Sequence, residues 1–327
     1  MQVRPFLFSA ADYQTYAAVR QAAHPESPPD LAGLQHLDRT RTQGDVLARF
    51  VVEVAGEAVG VLEYATPYYD PRPGVLEVQY YLHPHHQALE GPLWQFLQGR
   101  IAPHQPHALQ TTVREDWPQY RFLTAQGFVE VERRWDSVLD LAHFDPSPLA
   151  RPLPPGLTIQ PLSALPWQEE AFQRDLYALE IELLGDVPTA EPITPWPFEV
   201  WQERSLKGPN LLPEGFFVAL EGTHLVGLTM LFKSHRPQTL QTGLTGVRRS
   251  HRRRGLALAL KLRAAEFARV YGARYIRTSN HQINRPMLAI NEALGFVKEP
   301  ARVLLRLSPV PLKPGQPAFG GSSDPQP

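Results

Sequence analysis

The densest chemistry in this sequence lies between Val247 and Lys261. There Arg248, Arg249, Arg252, Arg253 and Arg254 crowd a short turn that ends at Gly255 and continues through Leu256, Ala257 and Leu258. A strand pattern precedes the turn and a helical pattern follows it. The first turn of a helix leaves backbone N–H groups without intrahelical acceptors, and the aligned peptide dipoles favour negative charge there. Gly255 and Ala257 lack the bulk that would hold a pyrophosphate away from those donors, and guanidinium forks suit phosphate oxygens. These residue types at this spacing predict a phosphate cradle. Upstream, Glu180, Glu182, Asp186 and Glu191 are candidate general bases. Glu182 is the first choice among them, although solvated acids on a helix surface are the commoner explanation of such a group. His83, His85 and His86 stand together in a Pro-containing loop without a matched fourth ligand, a pattern of solvated side chains, and no metal site is expected.

The elements that must position the cradle follow in order. Residues 166–184 form a helix, Phe216 to Phe232 a β-hairpin, and Leu240 to Val247 a strand that feeds the basic turn. The helix after the turn carries Leu258, Leu262, Ala265 and Ala268 at helical spacing and runs to about Tyr271, with Gly272 placed to end it. A strand over Arg274 to Ser279 comes next. Asn284 can cap a last helix with Pro286 in its first turn, running through Met287, Ile290 and Leu294 to Gly295.

The same landmarks occur twice. The hairpin around Phe50 to Val61 matches the one around Phe217 to Leu228, and Gly60 and Gly227 are 167 positions apart. The helix end and strand start at Phe122 to Val129 match Asn291 to Val297, and Gly127 and Gly295 are 168 positions apart. Two features in the same order at nearly the same offset imply a tandem repeat of one α/β fold. Prolines at 146, 148, 152, 154, 155, 161 and 166 exclude a helix or central strand between the copies. The expected organisation is therefore a first domain over 1–144, an extended Pro-rich linker over 145–156, a second domain over 157–309 and a loose Pro/Gly-rich tail over 310–327.

Composition narrows the class of function. The chain has 327 residues, enough for two domains at about 150 each. It contains 43% hydrophobic and 20% charged residues, so both halves can bury a core. Its 34 prolines, twice the usual ~5%, predict many rigid loop boundaries. Lys and Arg total 32 against 33 Asp and Glu, a net charge of −1 that lacks the field of a dedicated nucleic-acid binder. There is no cysteine, which removes disulfides, thiolate metal sites and a Cys nucleophile, and suits a reducing cytoplasm. The N-terminal apolar run is too short for a signal peptide, and nowhere do ~18 apolar residues run together. A cytoplasmic protein without membrane or nucleic-acid partners is expected.

The loop Arg252-x-x-Gly255-x-Ala257 resembles motif A of the Gcn5-related N-acetyltransferase (GNAT) superfamily, whose Arg/Gln-x-x-Gly-x-Gly/Ala loop holds the acetyl-CoA pyrophosphate. Asn280, Asn284, Met287 and the ending Leu294, Gly295 and Phe296 resemble motif B. The resemblance implies two tandem GNAT-like domains of mixed α/β (α+β) character, each a twisted mixed β-sheet flanked by helices. The fourth and fifth strands would splay to admit the pantetheine, here about Leu240–Val247 and Arg274–Ser279. It implies acetyl transfer from acetyl-CoA to an amine. Arg252, Arg253, Arg254, Gly255, Leu256, Ala257 and Leu258 would cradle the pyrophosphate. Backbone groups of Thr245, Gly246 and Val247 would hold the pantetheine and polarise the thioester carbonyl, and Asn284 would approach from the far side.

Two departures stand out. Many members place a Tyr, able to protonate the departing thiolate, where this sequence has Asn291; an amide can hydrogen-bond sulfur or an ordered water but cannot serve as an acid near neutral pH. The first copy keeps Gly91 but has no Arg, carries Glu90 where phosphate would sit and has Leu93 where a small residue is needed, so weak CoA binding or none is expected there. Three classes of function follow: an N-acetyltransferase with its CoA site in the C-terminal domain and a small-molecule or peptide amine as acceptor; a non-catalytic acetyl-CoA sensor or adaptor; and a nucleic-acid binder using the Arg run, which the net charge disfavours. The six Trp read as packing residues, with Trp196 and Trp201 in a Pro-rich stretch that can also floor an acceptor pocket. A tandem chain can complete a pseudo-dimer by itself, so either a monomer or a homodimer is compatible with the sequence.

Overall fold

A computed structural model describes residues 1–69, 71–189 and 193–310. Glu191 and the tail beyond 310 lie outside the described residues. In chain order the first half gives β1 (Gln2–Pro5), α1 (Ala10–Ala23), α2 (Leu31–Arg39), β2 (Leu47–Val54), β3 (Glu57–Ala65), β4 (Val75–Leu82), α3 (Glu90–Ile101), β5 (Ala108–Arg114), α4 (Pro118–Ala125) and β6 (Val129–Asp140). The second half gives β7 (Leu157–Pro161), α5 (Glu170–Leu184), α6 (Phe198–Trp201), β8 (Leu211–Glu221), β9 (His224–Lys233), β10 (Thr239–Val247), α7 (Leu256–Val270), β11 (Tyr275–His281), α8 (Arg285–Ala293), β12 (Val297–Lys298) and β13 (Arg302–Leu307). No described helix is long and apolar enough to cross a membrane.

The chain forms two compact units whose boundaries differ from the contiguous stretches 1–144 and 157–309. One unit gathers Met1–Leu31, Arg41–Val131 and the chain from Val303 onward; the other gathers Ala32–Thr40 and Glu132–Arg302. The sheet of the first unit runs β1-β2-β3-β4-β5-β13, and that of the second runs β7-β8-β9-β10-β11-β6, with β12 added to β6. The two orders are equivalent, and in each the sixth strand comes from the other half of the sequence. The reason is pairing: β6 runs antiparallel to β11 over seven residues, from Tyr275↔Asp140 to His281↔Arg134. The stretch 141–156 contains neither helix nor strand, and Phe144, Leu149 and Leu153 pack on the core of the second unit.

In both units the first four strands are antiparallel and the fourth and fifth are parallel. Alternation decides the faces. Leu62, Tyr64, Leu76, Val78, Tyr80 and Leu82 point into one core of the first unit, shared with Leu93 and Leu97 of α3. The second unit has a core on each face of its sheet, one with Leu260, Ala264 and Ala268 of α7, the other with Leu176, Leu179 and Leu183 of α5. Burying each of these leucines contributes roughly 1.5–3 kcal/mol, so the two helices are held firmly on either side of β9 and β10.

Candidate functional site

In the second unit, β10 and β11 pair only at Thr239↔Tyr275, Leu240↔Ile276 and Gln241↔Arg277, and then part. A β-bulge in β10 against β9, between Thr242 and Thr245, helps to turn the strand away. The edge of β10 from Thr242 to Val247 thus lacks a strand partner on the β11 side. Within it, the Thr245 and Thr229 hydroxyls bond each other at 2.7 Å, the Val247 carbonyl accepts from Arg252 Nε at 3.0 Å, and a Cβ on Gly246 would stand 3.0 Å from Leu183. Gly246 is therefore needed for the close approach of α5 to the strand.

The cradle sits where β10 ends. Arg253 has φ +63° and Gly255 has φ +76°, so two left-handed residues, with Arg254 between them, curl the backbone into α7. Such a turn aims successive N–H groups at one point. The N–H groups of residues 253–258 reach no acceptor among the described residues, the first helical bond being Ala259 N to the Gly255 carbonyl at 3.0 Å. A Cβ on Gly255 would meet nothing within 4 Å, so the glycine is required by its φ and faces open space. Leu256 is buried in the core and offers only its backbone to the turn, while Ala257 and Leu258 are half-buried.

The arginines are mostly engaged by acids. Arg248 pairs with Glu182 and donates to the Leu225 carbonyl at 2.7 Å. Asp186 accepts from Arg249 at 2.6 Å and from Arg252, and these hydrogen bonds hold its carboxyl below the usual range despite partial desolvation. Glu221 lies 3.9 Å from Arg254 and 3.2 Å from His251. Arg253 is exposed and has no partner among the described residues. Deeper on α7, Lys261 is only 5% exposed, lies 5.3 Å over the Phe296 ring and meets no carboxylate among the described residues; burial lowers its pKa to about 8. Unaccepted N–H groups and an arginine rim together suit a polyanionic ligand.

The other predicted residues fall as follows. Asn284 caps α8, its Oδ1 accepting from Met287 N at 3.3 Å, which is the structural role open to it from the sequence. Asn291 is 2% exposed; its Nδ2 donates to Asn280 Oδ1 at 2.5 Å, tying α8 to β11, and its Oδ1 has no partner among the described residues. Glu182 is half exposed in its ion pair. Glu180, grouped with it but not preferred in the sequence, differs sharply. It is 6% exposed, one oxygen accepts from Trp201 Nε1 at 2.9 Å, the other has no partner among the described residues, and burial raises its pKa to about 7. The signal was present: 176, 179, 180 and 183 share one helical stripe, and 182 does not.

In the first unit β4 and β5 likewise part after three pairs, Val75↔Ala108 to Glu77↔Gln110, but the rest of the matching place is built differently. Its β3 and β4 pair without a bulge from Gly60↔Leu82 to Ala65↔Glu77. The helix α3 follows a 3-10 segment, so Glu90 N donates back to the Gln87 carbonyl, and the Glu90 carboxylate accepts from Tyr80 at 2.8 Å. The space between β4 and β5, lined by Tyr80, Tyr81, Thr111 and Trp117, amounts to about 10 Å³, the room of one water.

Parted parallel strands with an anion-ready helix start at their mouth are the geometry the second unit offers a ligand. Residues 175–296 match the family model described as Acetyltransferase (GNAT) family. That match lies within the second unit, and the fold of the whole chain is that of tandem GNAT proteins. It is similar in structure to a tandem GNAT protein from the clavulanic acid biosynthesis pathway, solved without AcCoA, at 20% identity and TM-score 0.75, covering 95% of this chain and 99% of that one. A GCN5-related N-acetyltransferase from Sphaerobacter thermophilus is 21% identical, with TM-score 0.66 and coverages of 94% and 96%. A GNAT-family acetyltransferase from Colwellia psychrerythraea is 15% identical, with TM-score 0.58 and coverages of 94% and 99%. At these identities the likeness establishes the fold. No curated protein matches the sequence.

Proposed function

We propose that the protein transfers an acetyl group from acetyl-CoA to an amine, with the CoA site in the second unit. The observation that carries this reading is the run of unaccepted N–H groups at 253–258 beside the unpaired edge of β10. Those donors, with Arg252, Arg253 and Arg254, would hold the pyrophosphate. Backbone groups of Thr245, Gly246 and Val247 would line the pantetheine. Acetyl-CoA supplies an activated thioester, and the chain's part is to orient it, exclude water and manage the amine's proton. Asn291 fixes α8 against β11 and leaves proton donation to the thiolate to solvent. The first unit, with Glu90 at the start of α3 and room for only about one water between the parted β4 and β5, would serve as scaffold.

A second reading, acetyl-CoA binding without turnover, is favoured by Asn291, because its amide cannot donate a proton to a thiolate. Calorimetric titration of acetyl-CoA into the wild type and Gly255→Glu tests the site. One equivalent bound by the wild type and none by the variant is the expected result. Two equivalents would give the first unit a site of its own, and no binding would overturn both readings. Thiol release over an amine panel then separates transfer from binding alone.

A further inference from the structure

Glu180 stands where the pattern of α5 asks for a hydrophobic residue, between the fully buried Leu176, Leu179 and Leu183. A carboxylate with one oxygen unpartnered in such a core is costly unless something satisfies it. Around it are rings. Trp201 holds the other oxygen, lies 5.3 Å from Tyr177 and stacks on Phe198 at 5.8 Å, while the Tyr177 hydroxyl donates to the Trp196 carbonyl at 2.5 Å. Tyr177 is three residues before Glu180, on the same face of α5. Leu183, one turn after Glu180 and about 4.5 Å along the helix, is the residue that packs on Gly246 of β10. Glu180 thus shares its α5 stripe with the residue that packs on the edge of β10.

The charged groups about this cluster are otherwise engaged. Arg174 lies 4.2 Å over Phe198 and pairs with Glu170; Arg204 lies 5.0 Å over Trp196 and donates to the Thr40 carbonyl at 2.7 Å; Glu182 pairs with Arg248. The strand residues that pack under α5, Phe216, Val218, Leu220, Leu225, Leu228 and Met230, carry no ionisable group. Glu180 therefore holds an uncompensated negative charge whenever it is ionised, inside a set of aromatic faces that attract cations.

We propose that Glu180, Tyr177 and Trp201 form the ammonium site of the acceptor, and that Glu180 removes the proton the amine must lose, so the acceptor is a primary amine on an apolar or aryl body. This rests on the acetyl-transfer reading for the chemistry but not for the binding. The balance is direct. Glu180 takes one proton from the ammonium, and the neutral nitrogen attacks the thioester carbonyl carbon. The C–N bond forms as the C–S bond breaks, and the second nitrogen proton is released to solvent, which protonates the departing thiolate. An amine with a carboxylate beside its nitrogen would set two anions together at low dielectric and is excluded.

The test uses 2-phenylethylammonium as probe on the full-length protein, followed by calorimetry and by tryptophan fluorescence, without acetyl-CoA. The wild type should bind it at pH 8 and at least tenfold more weakly at pH 6, where Glu180 is protonated, and should not bind the neutral 3-phenylpropan-1-ol. Glu180→Gln, whose amide oxygen can still accept from Trp201, should melt no lower than the wild type and bind the probe at least tenfold more weakly at pH 8. With acetyl-CoA present, the variant's kcat/KM should fall about 100-fold or more and lose the rise near pH 7. Absence of probe binding, or equal binding by wild type and Glu180→Gln, overturns the proposal while leaving acetyl-CoA binding intact. Failure of acetyl-CoA to bind would instead overturn the acetyltransferase reading and leave the ammonium site standing.

Discussion

The glycine at the start of α7 allows fold and ligand effects to be separated, because the same helix ends on a second glycine of the same kind. Gly255 has φ +76° and Gly272 has φ +87°, and a Cβ at either would meet nothing within 4 Å. Gly255→Ala and Gly272→Ala should therefore destabilise the protein alike, by about 1–2 kcal/mol for an alanine in the left-handed region, or roughly 2–4 °C in Tm per kcal/mol for a unit of this size. Their effect on acetyl-CoA should differ. At Gly255 the methyl group projects into the space that the N–H groups of 253–258 face, and displacing one charged hydrogen bond to phosphate costs about 1.5–3 kcal/mol, a loss of about 10- to 150-fold in Kd. At Gly272 the Kd should be unchanged. Thermal melts and calorimetric titration of both variants give the four numbers needed. Equal Kd values for Gly255→Ala and wild type, or an equal loss in both variants, would refute placement of the phosphates at this helix start.

Asp186→Asn should free Arg249 and Arg252 from their shared acid and tighten acetyl-CoA binding several-fold, about 1 kcal/mol for an exposed competing pair; weaker binding would mean that Asp186 aligns the arginines rather than competing for them. Lys261 has a folded pKa near 8, below its unfolded value of 10.5, so the unfolded state holds more protons between those values and stability should rise with pH across that window. Lys261→Met, which keeps the aliphatic length, should flatten this rise and be more stable than wild type at pH 7 in denaturant titrations. Glu180 has the opposite sign: its folded pKa near 7 is above the unfolded 4.5, so its contribution is fully present below about pH 4.5 and is lost as pH rises through 7. Glu180→Gln should remove that decline, and an unchanged slope would show that the carboxylate is solvated.

The phosphate cradle and the duplication were legible in the sequence because both rest on local patterns. Strand, glycine turn and helix follow one another at 247–261, and the spacing from Gly60 to Gly227 repeats from Gly127 to Gly295. The limits of β10, α7, β11 and α8 needed only periodicity and caps, Asn284 and Gly272 among them. The destination of β6 and β13 was not legible, since an alternating strand pairs equally well with any suitable edge and only long-range register chooses. The engagement of Asp186 with two arginines depends on 63 and 66 intervening residues returning to one point. The same holds for the choice between Glu180 and Glu182. Periodicity puts Glu180 on the buried stripe, but that one of its oxygens meets Trp201, 21 residues away, and the other meets no partner among the described residues is settled by packing alone. Local sequence determined which residues can bind phosphate, and the tertiary structure decided which carboxylate is left wanting a cation, because desolvation is a property of the whole surrounding core and not of any short stretch.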